Sequence, residues 1–325
     1  MQVKIATSLL ILSTRAPLAA STVLKNIDCS SENHRHNNSM IHFKSPLLAD
    51  PQDQKGSESS QSSVLIILNY SLSCPPSPVF DKLWSKATCR ICADGGANRL
   101  YDATTAGSMP STTKDRREDY IPDRIRGDLD SLRPDVREFY ASKGVVIEKD
   151  PCQETNDLDK ALQACCETSN NKEKKSLFDS VVVFGAFGGR FDQEMASIQA
   201  LFTWSDVFRH QLFLYTDETF AFLVPAQTDC QIELPYFDST EPSSKDKDNS
   251  DDIQPFGEGP TCGLIPIGRR VESCTTTGLK WDLDGNMPME FGGLVSSSNR
   301  VMKPVATIRS SEPVVFTAEV QIMKK

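Results

Sequence analysis

The chain has 325 residues, of which 38% are hydrophobic and 24% charged, and it carries a formal net charge of −9 at pH 7. Such a chain buries a sizeable core and has room for about two domains. Its acidic balance excludes an extended nucleic-acid surface, which shows a basic stripe, yet is compatible with a small anion held by local amides.

The first twenty residues contain Lys4, an apolar run over 8–12, Arg15 and the small pair Ala19 and Ala20. An apolar core of about five residues is shorter than the roughly 7–15 of a signal peptide and far shorter than a membrane span. A targeting segment therefore competes with a plain disordered extension, and the expected location is cytoplasmic. Ten cysteines, including the adjacent Cys165 and Cys166, read as reduced thiols and fit that compartment. Residues 25–62 are rich in Ser, Asn, His and Gln and read as a disordered lead-in, so the fold is expected to follow residues 1–62.

From Ser63 the pattern alternates. Apolar runs predict strands at 64–69, 89–94, 121–126, 145–148 and 180–185, and amphipathic stretches predict helices at 79–86, 96–103, 134–143, 157–167 and 192–204. A polar loop is expected over 104–119. Strands alternating with helices imply a parallel sheet covered on both faces, a Rossmann-like α/β domain over 63–210. From 211 the helical period stops, and 211–215, 220–224, 231–234, 263–267, 270–274 and 314–322 read as strands of an all-β domain over 211–325. Inside it, residues 238–259 read as a solvated, disordered insertion without chemistry.

Ligands of such sheets bind beyond the carboxyl ends of the strands. Three motifs are expected to emerge there. The first is Asp94-Gly95-Gly96-Ala97-Asn98, a carboxylate on a flexible, amide-rich turn. The second is Gly127-Asp128-Leu129-Asp130-Ser131, where carboxylates at i and i+2 share one side of an extended segment and are tolerated where a cation balances them. For Asp130 and Ser131 the alternative is capping the helix that starts near Pro134. Asp157, in the first turn of the next helix, either completes that site or complements the helix dipole, while Asp159, about 200° further round, is expected to be solvated. The third motif is the turn from Gly185 to Arg190, whose amides at a helix N-terminus and guanidinium fork suit phosphate oxygens without the spacing of a P-loop. Asp192 orients Arg190, binds a cation or caps the helix.

In the β-domain, Trp281 either packs a core edge or stacks on a flat, cationic ring, in which case Ser298 and Asn299 would supply orienting hydrogen bonds. Three of the four histidines lie in the lead-in, so no His-based centre is expected and His210 reads as structural.

Taken in order, residues 93–100, 127–131, 157–162, 188–192, 278–281 and 296–299 resemble the thiamin pyrophosphokinase family, and the likeness runs from about Val64 to Val301. The resemblance implies an α/β catalytic domain, a jelly-roll-like β-sandwich that helps bind thiamin, and a homodimer with active sites between subunits. It implies transfer of a diphosphate from ATP to the thiamin hydroxyl, with Mg²⁺ as cofactor and neither nucleic acid nor membrane as partner. It sets Asp94, Asp128, Asp130 and Asp157 around Mg²⁺ and the ATP phosphates; in the mechanism this suggests, Asp128, Asp130 and Asp157 hold the cation, and Asp94 is one candidate to accept the hydroxyl proton. ATP falls to Gly95, Gly96, Asn98, Gly127, Lys160, Gly188 and Gly189, and thiamin to Trp281, Ser298 and Asn299. Arg190 and Asp192 match the family's third motif. Glu154, Thr155 and Asn156 depart from its pattern and are not carried over as ligands. Rival readings of the same residues are a metal-dependent phosphohydrolase, with water as nucleophile, and a non-catalytic thiamin or nucleotide sensor.

Overall fold

The computed structural model describes residues 40–46, 62–105, 115–168, 174–234 and 260–320. The candidate targeting segment, most of the lead-in, the centre of the polar loop and the insertion at 238–259 lie outside the described residues. In chain order the elements begin β1 (Ile41–Lys44), β2 (Ser63–Ile67), α1 (Pro78–Lys86), β3 (Cys89–Ala93), α2 (Gly96–Thr104), β4 (Arg124–Gly127), α3 (Pro134–Ser142), β5 (Val146–Lys149), α4 (Asp157–Gln163), β6 (Cys166–Thr168) and β7 (Lys174–Ser176). They continue with β8 (Ser180–Phe184), α5 (Phe191–Trp204), β9 (Leu212–Tyr215), β10 (Thr219–Val224), β11 (Cys230–Glu233), β12 (Thr261–Ile265), β13 (Cys274–Thr277), β14 (Ser296–Arg300), β15 (Val305–Ser310) and β16 (Val314–Glu319).

One sheet of ten strands runs in the order β5-β4-β3-β2-β8-β9-β10-β16-β12-β14. Its first six strands are mutually parallel, as the apolar runs of the α/β half predict. The remaining four are antiparallel, so the sheet is mixed and crosses residue 210 without a break, β9 pairing with β8 on one side and β10 on the other.

The chain steps from β2 outward to β5 and then returns to β8 on the other side of β2. Because parallel crossovers keep one hand, the reversal sends the first three helices to one face and the last two to the other. Strand parity on β2 registers this: Leu65 and Ile67 join a core with Phe80, Leu100 and Tyr140 from α1, α2 and α3, whereas Val64 and Ile66 join Leu162 and Leu201 from α4 and α5. Cys89 and Cys92, at the spacing of a redox pair, sit on β3 at positions of opposite parity and pack on opposite faces. Helix starts follow local chemistry. Ser77 accepts the Phe80 amide at 3.1 Å ahead of Pro78, and Asn156 accepts the Asp159 amide at 2.8 Å at the head of α4.

A second sheet, β1-β11-β15-β13, packs on the face that carries α1 to α3. Phe43 stacks on Phe222 of the large sheet with ring centroids 4.2 Å apart, and Ile232 and Ile308 join the same core. β1 corrects the expectation of disorder through residue 62, for it pairs in parallel with β11. Helix α4 stops at Gln163 rather than 167, and Cys166 to Thr168 instead pair with β7. The strand expected at 270–274 reduces to a single bridge between Val271 and Met289, with β13 following it. Among the described residues no helix is long and apolar enough to cross a membrane.

Candidate active site

The reversal of strand order between β2 and β8 opens a crevice at the carboxyl ends of both strands, where open α/β sheets bind ligands. A cavity of about 440 Å³ occupies it, lined by Asn69 and Tyr70 after β2, by Asp128, Asp157 and Lys160, and by the glycine turn after β8. A larger cavity, about 790 Å³, opens at the opposite, amino ends of these strands beside Lys44, Lys82 and Gln211. The expected acidic and glycine motifs sit at the carboxyl end.

Asp94, Asp128 and Asp157 each offer a carboxylate oxygen within 4.8 Å of the others. Asp94 leaves β3 with φ +42° and is 2% exposed. Its Oδ2 accepts the Ser131 amide at 3.1 Å, and its buried Oδ1 has no hydrogen-bond partner. Burial raises the Asp94 pKa against the pull of the Ser131 amide, and the neighbouring Asp157 and Asp128 charges push the same way. Asp128 is lowered instead, first by the Asp130 amide on its Oδ1 at 3.1 Å and also by Lys160. The buried Lys160 ammonium lies 3.4 Å from both Asp128 Oδ2 and Asp157 Oδ1. Burial works against its charge, but Asp157 and Asp128 prevail and its pKa rises. Gly127 makes the cluster possible, since a Cβ there would stand 2.6 Å from the Asp94 Cβ and 3.1 Å from Asp157 Oδ1. A set of hard carboxylate oxygens, one of them orphaned, fits a hard divalent cation.

Asp130 does not join them. Leu129 turns the backbone through φ +63°, so the segment is not extended and the same-side geometry expected of i and i+2 is lost. The Asp130 side chain is exposed, 3.9 Å from the Lys149 ammonium. Nor do Asp130 and Ser131 cap α3, whose cap position is Arg133. Asp159, expected in solvent, accepts the Trp204 indole N–H at 2.8 Å.

In the glycine turn, Gly188 at φ +92° leaves room for the Tyr70 ring and donates its amide to Glu194 Oε1 at 2.7 Å. Gly189 also packs on Tyr70. Arg190 lines the cavity and pairs with Asp192, that guanidinium lowers the Asp192 pKa, and the cap position of α5 is Arg190 itself. Gly95 and Gly96 pack against the Asn69 side chain and the Ile67 carbonyl. Asn98, expected to hold nucleotide, spends its amide bracing α2, donating to the Ser131 carbonyl at 2.7 Å and accepting the Arg133 amide at 3.1 Å. The residues that motif reading passed over are Asn69, Tyr70 and Arg99, with Arg99 Nε donating to Asn69 Oδ1 at 2.9 Å inside the cavity lining. For Asn69 and Tyr70 the signal is position, immediately beyond β2, whereas Arg99 stands in α2 within the 93–100 motif.

None of Trp281, Ser298 and Asn299 lines this cavity. Trp281 is 57% exposed, which removes the core-packing alternative, and the Lys280 ammonium stands 5.2 Å from its ring centroid. Ser298 is exposed at φ +58°. Asn299 is buried, and its carboxamide is turned to the Trp281 backbone.

Comparison with known proteins gives concordant results. Residues 80–214 match the family described as thiamin pyrophosphokinase, catalytic domain, and residues 248–315 match its vitamin B1 binding domain. Thiamine pyrophosphokinase 1 of Oryza sativa subsp. japonica is 34% identical over 285 residues, covering 87% of this chain and 96% of that protein. Thiamine pyrophosphokinase 1 of Arabidopsis thaliana is 36% identical over 284 residues, 87% of this chain and 94% of the relative. The crystal structure of yeast thiamin pyrophosphokinase superposes with a TM-score of 0.65 at 26% identity, covering 88% of this chain and 93% of that one. The chain belongs to the thiamin pyrophosphokinase family.

Proposed function

We propose that this protein transfers the diphosphate of ATP to the hydroxyl of thiamin, releasing AMP and forming thiamin diphosphate. The observation that carries the reading is the Asp94, Asp128 and Asp157 cluster with its buried Lys160, set in the crevice of an α/β sheet in a chain of this family. Asp94, Asp128 and Asp157 would hold Mg²⁺, which when bound neutralises the polyphosphate and orients it for in-line attack on the β-phosphorus. Lys160 offsets the charge of the carboxylates. Arg190 and Arg99, both in the cavity lining, present guanidinium donors to the phosphate oxygens, and the glycine turn leaves room there for the Tyr70 ring. Trp281 stacks on the acceptor.

The fold is read as a Rossmann-like catalytic domain joined to a jelly-roll-like β-sandwich. The protein is read as a homodimer with active sites between subunits, and its location as cytoplasmic. An exposed apolar pair supports the dimer: Phe191 and Met195, one helical turn apart at the head of α5.

Incubation with ATP, Mg²⁺ and thiamin tests the reaction. Equal amounts of AMP and thiamin diphosphate are expected, whereas phosphate release from ATP without thiamin would replace the reading with a phosphohydrolase.

A further inference from the structure

We infer that Asn299 is a positioning residue for Trp281, fixing the peptide unit that presents the exposed indole and making no contact with the acceptor itself. The inference rests on the reading of Trp281 as the acceptor-stacking residue.

Asn299 lies on β14 opposite Cys262 and is 2% exposed. Its Oδ1 accepts the Trp281 amide at 3.1 Å and the Arg300 amide at 2.9 Å. Its Nδ2 donates to the Trp281 carbonyl at 2.8 Å and to Ser296 Oγ at 3.4 Å. A carboxamide has two acceptor sites and two N–H donors, and here all four are engaged within the chain. The two backbone amides that face the oxygen also settle which end of the side chain is which. Asn299 therefore grips both polar groups of one residue, as a neighbouring strand would.

The rest of the turn is held as firmly. The Asp282 carboxylate accepts the Gly278 amide at 3.2 Å, the Leu279 amide at 3.0 Å and the Thr276 hydroxyl at 3.1 Å. The Lys280 amide donates to the Arg300 carbonyl at 2.8 Å. A backbone tied at every position carries an indole that is mostly in solvent, and such pre-organisation reduces the ordering cost when a flat ring stacks on it.

The test is a double-mutant cycle on the full chain, with Asn299→Ala and Trp281→Ala singly and together, reading KM for thiamin and for ATP. Asn299→Ala alone is expected to raise the thiamin KM about tenfold and to leave the ATP KM within about twofold. In the Trp281→Ala background the same change should add less than about twofold. An additive rise in that background would mean that Asn299 contacts thiamin directly and would overturn the inference. The second readout is acrylamide quenching of tryptophan emission without ligand, dominated by Trp281 because Trp84 and Trp204 are buried. The quenching constant should change in Asn299→Ala, and an unchanged constant also overturns the inference. If Trp281→Ala leaves the thiamin KM alone, the stacking reading falls, while the quenching experiment still judges the clamp. Asn299→Ser, which keeps one hydrogen-bonding group, serves if the alanine variant does not fold.

Discussion

The indole N–H of Trp204 is bonded to Asp159 at 2.8 Å, which ties α4, the helix bearing Asp157 and Lys160, to the end of α5, the helix that follows the glycine turn. Two helices that both contribute to the cavity lining are thereby locked together, and the Lys174 ammonium lies 4.1 Å over the same indole. Trp204→Phe keeps much of the packing and removes the bond to a charged acceptor, so a loss of about 1.5–3 kcal/mol in unfolding free energy is expected. Urea titration checks this, and a variant as stable as the parent would show the tie to be ornamental.

Asp128 clusters with Asp94 and Asp157, whereas Asp130, two residues on, points into solvent. Asp128→Asn should lower kcat at least about a hundredfold with the fold intact, the scale of one lost pre-organised electrostatic group. Asp130→Asn, altering an exposed charge screened by solvent, should change it less than about threefold. Comparable losses in the two variants, measured at saturating Mg²⁺, would return Asp130 to the cation site.

Arg99 faces the cavity with its guanidinium bonded to the neutral Asn69 side chain through Nε. Arg99→Ala is expected to raise the ATP KM about tenfold or more, as loss of a charge-assisted contact would, with the thiamin KM little changed. A shift in the thiamin KM alone would assign Arg99 to the wrong substrate.

His210 is half-buried, and burial lowers its pKa despite Asp206 at 3.6 Å. The unfolded chain therefore takes up a proton first, near the ordinary pKa of about 6.5. The stability held by the neutral imidazole is complete above that pH and is lost as pH falls through it toward the lower folded value. His210→Gln should flatten the decline in melting temperature as the pH falls below about 6.5, where a single group supplies at most about 1.4 kcal/mol per pH unit. Parallel melting profiles for the two proteins would contradict this.

What could be read from sequence divides along physical lines. The apolar runs of β2, β3 and β8 are buried on both faces and declare themselves, and so do the helices between them. β14, Ser296–Arg300, is polar along its length, and β1 offers only Phe43 in four residues as a fully buried apolar side chain, so neither has a period to detect. At the site, Asp94, Asp128 and Asp157 are legible because carboxylates at strand and helix ends are conspicuous. The left-handed φ at Leu129 that turns Asp130 outward has no sequence signal, and a motif letter does not say which way the Asn299 amide faces.

β1 carries a consequence for how the protein is made. Ile41 pairs with Cys230, roughly 190 residues further on, so at a synthesis rate of about 5–20 residues per second the strand leaves the ribosome some 10–40 s before its partner. Phe43 must stay shielded from other chains through that interval before it can reach Phe222. Shortening the protein past residue 44 would remove the wait and leave β11 with a naked edge in its place.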